Sequence, residues 1–222
     1  MISATTLVEL HDRLTTAWHA SEKDQDPIQA PIFVAAARDD QGASSTFATD
    51  FLTHVADQHR ANFDLWHIED EARAPGATDA ALAVVKRRID ATNQLRNDLA
   101  EQLDHTLIEW LGSQGLPNPN AALHSESPGL MIDRLSIQAL KIYHTADETE
   151  RRGAPAGHSE RNRDRLVVLR EQRADLMACL DALWRETLAG TRRFKVYRQL
   201  KMYNDPSLNP AIYSRSDSER GS

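Results

Sequence analysis

The sequence predicts an all-α fold: a single-domain bundle of about five long helices around a central buried helix near residues 128–150. Three observations predict it. Apolar residues recur at spacings of three and four in five separate segments, which marks helices with one buried face. Gly and Pro clusters separate those segments. No segment alternates apolar and polar residues beyond a few positions, so no half-buried strand is expected.

Residues 5–21 carry Leu7, Leu10, Leu14 and Trp18 on one face. A linker with Pro27 and Pro31 follows, then a short apolar piece from Ile32 to Ala37 and a polar loop to Ser45. The next helix spans about 46–73, with Phe47, Phe51, Val55, Phe63 and Trp66 as its stripe, and Pro75-Gly76 ends it. Asp79 is placed to cap a helix over 80–112, with Leu82, Val85, Ile89, Leu103, Leu107 and Trp110 on one face. Ser127 before Pro128 is a start signal for the helix 128–150. That helix is apolar on two sides, Met131, Leu135 and Ile142 against Leu130, Ile137 and Leu140, which is the pattern of a central element. Ser159 opens the last helix. It carries Leu166, Leu169, Leu176, Leu180 and Leu183, and Gly190 closes it. The expected division is 1–45 as N-terminal helix and linker, 46–210 as bundle core, and 211–222 as a flexible tail.

Composition narrows the function classes. In 222 residues, 33 acids against 26 bases give a formal charge of −7. A nucleic-acid-binding domain is usually basic, so no nucleic-acid partner is expected. One Cys forms no intramolecular bridge, which fits a reducing, cytoplasmic setting. No apolar run reaches the roughly 20 residues of a membrane span, and the N-terminus lacks a charged-then-apolar signal pattern.

Polar residues at core positions carry the functional information. His59, Asn62 and Asp70 share the stripe of Val55, Phe63 and Trp66. Asn93 and Arg96 interrupt the next stripe, with Lys86, Asp90, Asn97 and Asp104 as a polar ribbon along its flank. Asp133 and His144 lie in line with Ile137 and Leu140, with Arg134 and Lys141 as a second ribbon, and Arg173 sits between Leu169 and Leu176. A buried polar group without a partner costs a few kcal/mol. These residues therefore satisfy one another in a structural network, line a wet pocket inside the bundle, or face a subunit interface. A pocket built from facing helices is the reading adopted for the set.

Metal chemistry has candidates but no signature. His59, His67, Glu69, Asp70, Glu101, Asp104, His105, Glu126, Asp133 and His144 are available, yet the Glu-x-x-His pairs of di-iron bundles are absent. No metal ligand is assigned and no cofactor is named. Cys179, beside Leu180, reads as a packed small apolar residue. Gly-x-Ser-x-Gly, phosphate-loop and dinucleotide motifs are absent.

The segment 192–201, RRFKVYRQLK, is the sharpest local feature. It holds Arg192, Arg193, Lys195, Arg198 and Lys201 without an acid, and the remaining chain sums to −12. Phe194, Tyr197 and Tyr203 interleave with the bases, and Asn204-Asp205-Pro206 marks a turn. Such a segment can hold a phosphate and stack a planar ring. The alternative is a solvated face that pairs with the acidic remainder.

Three blocks carry a resemblance. They are Ile89-Asp90 through Asn93-Gln94 and Arg96-Asn97-Asp98 to Glu101; HSESPGLMIDRLSIQALKIYH from His124 to His144; and FKVYRQLKMYNDPSLNP from Phe194 to Pro210. With Trp66 and Glu69-Asp70 before them, the chain resembles the bacterial domain-of-unknown-function family 4254 over roughly residues 45–210. The resemblance implies an all-helical fold and a neighbourhood of glycan or specialised-metabolite genes, and it brings no activity. His124 stands where the family pattern has a small polar residue, often Asn.

Two classes of function follow. In the first, the chain is an enzyme acting on a small anionic metabolite. Asn93, Arg96, Asn97, Arg134, Lys141, Lys195, Tyr197, Arg198, Lys201, Tyr203 and Asn204 bind it. Asp133, His144, Asp70 and Glu126 supply acid/base catalysis. In the second, the bundle is an interaction module that docks on a partner such as a glycosyltransferase or forms a homodimer. A metal-dependent enzyme is a third alternative.

Overall fold

Among the described residues, five helices form where the apolar spacing places them. The computed structural model describes residues 2–24 and 46–198. The helices are α1 (Ala4–Asp24), α2 (Thr46–Glu71), α3 (Asp79–Gly112), α4 (Pro128–Glu150) and α5 (His158–Leu188). The linker with Ile32 to Ala37 and the tail after 198 lie outside the described residues. No described helix is long and apolar enough to cross a membrane.

Helix α4 touches all four others, while α1 does not meet α3 and α3 does not meet α5. This is the central position that its two apolar faces predict. Met131, Ile132, Leu135 and Leu140 are at most 1 % exposed. Cross-helix contacts fix the directions. Arg96 meets Asp133 and His158 meets Glu148, so α3 and α5 run antiparallel to α4. His59 meets both Ser136 and the His11 carbonyl, and His67 neighbours His19 and His144, so α1, α2 and α4 run parallel. The N-terminal helix belongs to this same core: Leu7, Leu10 and Leu14 are fully buried. Arg173, the polar residue of the α5 stripe, reaches α1 and pairs with both oxygens of Asp12 at 2.9 Å.

Several local details differ from the sequence reading. Thr78, not Asp79, caps α3, its hydroxyl accepting from the Ala81 amide. Gly157 with φ 75° precedes α5, and the Ser159 hydroxyl donates back to the Thr149 carbonyl instead of capping. Ser127 has the extended backbone of a cap but makes no capping bond to its own helix. The exposed amide of Gly129 is instead met by Asp104 of α3, whose Oδ1 accepts at 2.7 Å. Asp104, which the sequence placed on a polar ribbon along the flank of its helix, is buried. Burial lifts its carboxyl to about 6, against the pull of the Ser127 hydroxyl and the Gly129 amide. A Cβ at Gly129 would stand 2.2 Å from the Ala100 carbonyl oxygen, so only glycine admits this approach of α4 to α3.

The N-terminal half of α3 stands away from the core. Leu82 and Leu95 are exposed and Val85 and Ile89 are half-buried, because α3 meets α4 only further along, through Arg96 and from Ala100 onward. Two strands of two residues, β1 (Ala122–Leu123) and β2 (Arg192–Arg193), pair in parallel with Ala122 opposite Arg192. They are too short for any period to show in sequence.

Candidate functional site

The sequence expects a pocket among the polar core residues. The open space is a groove along one face of α4, which some of those residues line. Arg134, Ile137, Gln138, Lys141 and His144 follow one another by steps of one or three residues, so one stripe of α4 forms the floor. Helix α5 makes one wall, and α2 with Arg96 of α3 makes the other. Three sections adjoin through shared residues. The first, about 740 Å³, is lined by His124, Glu126, Arg134, Lys141 and Asp175 among others. The second, about 600 Å³, shares Lys141 and includes Trp66, His144 and Glu148. The third, about 430 Å³, shares Trp66 and Ile137 and includes Asp70, Arg73 and Arg96. Each lies in the size range of small-molecule sites.

Beneath the floor, the polar core is solid. Asp133 Oδ1 accepts from Gln58 Nε2 at 2.5 Å, Asn62 Nδ2 at 3.0 Å and Arg96 Nε at 2.9 Å. Its Oδ2 accepts from Arg96 Nη2 at 2.9 Å. Asn62 also donates to the Ser136 hydroxyl, which meets His59 Nδ1 at 2.7 Å. His59 Nε2 lies 2.9 Å from the Thr15 hydroxyl and 3.1 Å from the His11 carbonyl. The chain thus runs from α3 through α4 and α2 to α1. His59 is fully buried, and burial, then the neighbouring His11, holds its pKa well below the usual histidine value. Burial, then Arg173, lowers His11 to about 3.

Further along the same helices lies a cluster of rings. His19, His67 and His144 each bring a ring nitrogen within 4.8 Å of the other two. His144 stacks on Trp66 at 4.6 Å and 1° between planes, and His19 stacks on Tyr143 at 4.2 Å. Burial, then His19 and His67, lowers His144 to about 4, against the nearby carboxylates of Asp70 and Asp147.

The sequence-named residues divide. Glu126, Arg134, Lys141, His144, Asp70 and Arg96 line the groove. Glu126 pairs with Arg134 at 2.9 Å, and Asp70 lies 3.5 Å from Arg73. Lys141 is exposed and has no ion pair among the described residues. Asn93 accepts from Arg96 Nη1 at 3.5 Å, and Asn97 is half-buried on α3. Asp133 lies below the floor and reaches the groove through Arg96. Lys195, Tyr197 and Arg198 follow β2 and are not among the lining residues of these three sections. Lys201, Tyr203 and Asn204 lie outside the described residues.

The front of the basic segment is a clasp. Arg192 pairs with Glu186 at 2.8 Å, Arg193 Nε donates to the Ala121 carbonyl at 2.9 Å, and Phe194 is 2 % exposed. Cys179 is exposed and lines the first groove section instead of packing inside, since one residue from Leu180 turns it about 100° off the leucine stripe.

Sequence reasoning missed Gln58, Ser136, Thr15 and His19. Helical spacing relates residues within one segment only, and His19, His67 and His144 sit on three separate helices.

The matched family model is described as a protein of unknown function, DUF4254, and it covers residues 52–196. The chain belongs to the DUF4254 family. The match takes in all but the first turns of α2 and the whole of α3, α4 and α5, hence the entire groove, and leaves α1 with His19 before it. No curated protein and no solved structure matches the chain.

Proposed function

We propose that the groove along α4 binds a small metabolite bearing a phosphate or carboxylate, and that the chain is a cytoplasmic enzyme acting on it by acid/base chemistry. The observation that carries this reading is Lys141. It stands where two groove sections join, exposed and without an ion-pair partner among the described residues, with Arg134 two turns before it on the same stripe. Two cations lining one concave surface suit an anionic group. Arg96 adds a third charge from the opposite wall, held in place by Asp133. Both Asp133 oxygens are taken as acceptors, so its role is positioning. Glu126 and Asp70, at opposite ends, are the groove carboxylates assigned to proton transfer in this reading. The family resemblance supports a sugar-derived or specialised metabolite as the ligand class.

The test is thermal unfolding of the full chain with inorganic phosphate, sugar phosphates and nucleotides. A ligand at a hundred times its Kd adds about 2.7 kcal/mol, or a Tm rise of about 5–10 °C for a chain of this size. The Lys141→Met variant should fold normally and lose most of that rise. If no phosphate or carboxylate compound separates wild type from Lys141→Met, the reading fails.

A further inference from the structure

The histidine cluster asks for an explanation that ring packing does not supply. Three imidazoles from α1, α2 and α4 converge at the border of the groove, where His144 and Trp66 form part of the lining. The Nδ1–H of His19 donates to the Thr15 carbonyl at 2.8 Å, and that of His67 to the Phe63 carbonyl at 2.8 Å. Each ring thus spends its proton on the backbone four residues before it. In the neutral ring the lone pair is then on Nε2. A ring nitrogen donating to a backbone carbonyl is the contact that orients metal-ligating histidines. His144 Nε2 is buried and makes no hydrogen bond among the described residues. Trp66 and Tyr143 fix the ring planes by stacking on His144 and His19.

We infer that His19, His67 and His144 form a binding site for a divalent metal ion of the zinc class. An all-imidazole set suits zinc, with copper and nickel as chemical competitors. Tetrahedral coordination at about 2.0–2.1 Å sets ligand nitrogens about 3.4 Å apart. Nitrogens within 4.8 Å must therefore close by about 1.4 Å at most, a matter of small side-chain rotations. Three protein ligands leave a fourth position, the arrangement of catalytic zinc sites. His144, one of the three, is also a lining residue of the groove. The inference does not depend on the anionic ligand proposed above, because it concerns the ion alone.

The experiment uses the full chain, stripped with chelator and titrated with Co²⁺ as a spectroscopic stand-in for Zn²⁺. One equivalent should bind with the intense visible bands of tetrahedral cobalt, and one equivalent of Zn²⁺ should displace it and raise the Tm. His144→Ala and His67→Gln should each weaken Co²⁺ binding at least tenfold. His105→Ala, an exposed histidine on α3, should bind as wild type does. Circular dichroism reports folding. If His67→Gln does not fold, His144→Ala on the groove side decides alone. Absence of tetrahedral bands in wild type, or equal binding by wild type and His144→Ala, overturns the assignment.

Discussion

Two levels of one three-helix seam carry different chemistry. His11, His59 and Ser136 mark the first level; His19, His67 and His144 mark the second. Each member of the second lies eight residues beyond its counterpart on the same helix, or about 12 Å along parallel axes. The ring pairs repeat, His11 with His59 at 4.5 Å and His19 with His67 at 5.2 Å. The third position does not repeat. At the first level α4 presents the Ser136 hydroxyl, which joins His59 to Asn62 and Asp133 in a continuous run of hydrogen bonds. At the second it presents His144, whose Nε2 makes no hydrogen bond among the described residues and whose ring borders open space. The same helices hold a structural network at one level and a candidate site at the next. One side chain on α4 makes the difference.

The comparison breaks most readily at Asp133. Asp133→Ala strips the partner from Arg96 and two amides, and should cost about 4 kcal/mol in urea unfolding. A loss below about 1 kcal/mol would mean that the first level is not a closed network. The histidines should then separate. His59→Ala removes a fully buried ring with partners on two other helices and should cost about 3 kcal/mol. His144→Ala, in the metal-free protein, should cost about 1 kcal/mol, mainly the lost stacking on Trp66.

Acid sharpens the contrast. His11 is held at about 3 in the fold against 6.5 unfolded, so its contribution is complete above pH 6.5 and is lost as pH falls toward 3. Between pH 6.5 and 4.5 this amounts to about 2 kcal/mol. His11→Leu, of similar volume, should flatten the fall in Tm over that interval. Asp104 has the opposite sign. Its carboxyl is raised to about 6, so the fold gains as pH drops from 6 toward 3.8. Asp104→Asn keeps an oxygen for the Gly129 amide, and should raise the Tm at pH 7 while making the acid-side loss steeper than in wild type. The smallest effect belongs to Lys141→Met, within about 0.5 kcal/mol in the absence of ligand.

The helices were legible because spacing within a segment reports its buried face; Leu7, Leu10, Leu14 and Trp18 are buried as expected. Asp133 was legible as polar at an apolar position, and Arg134 and Lys141 as a ribbon on the next face. Their surroundings were not. Whether Asp133 lines a cavity or fills a network depends on Gln58 and Asn62 reaching it from α2, at sequence separations of 75 and 71. Asp104 was legible only as part of a polar ribbon; it is buried because Gly129 lets α4 come within contact of Ala100. His19 carried no signal on its own helix, where it lies beside the Trp18 stripe and its partners are elsewhere.

The close approach at Gly129 also has a mechanical meaning. With the Gly129 Cα set against the Ala100 carbonyl and its amide held by Asp104, this end of α4 is fixed against α3. His144 lies fifteen residues further on, about 22 Å along the same axis. The contact at the start of α4 thus sets the line along which His144 reaches the seam at its other end.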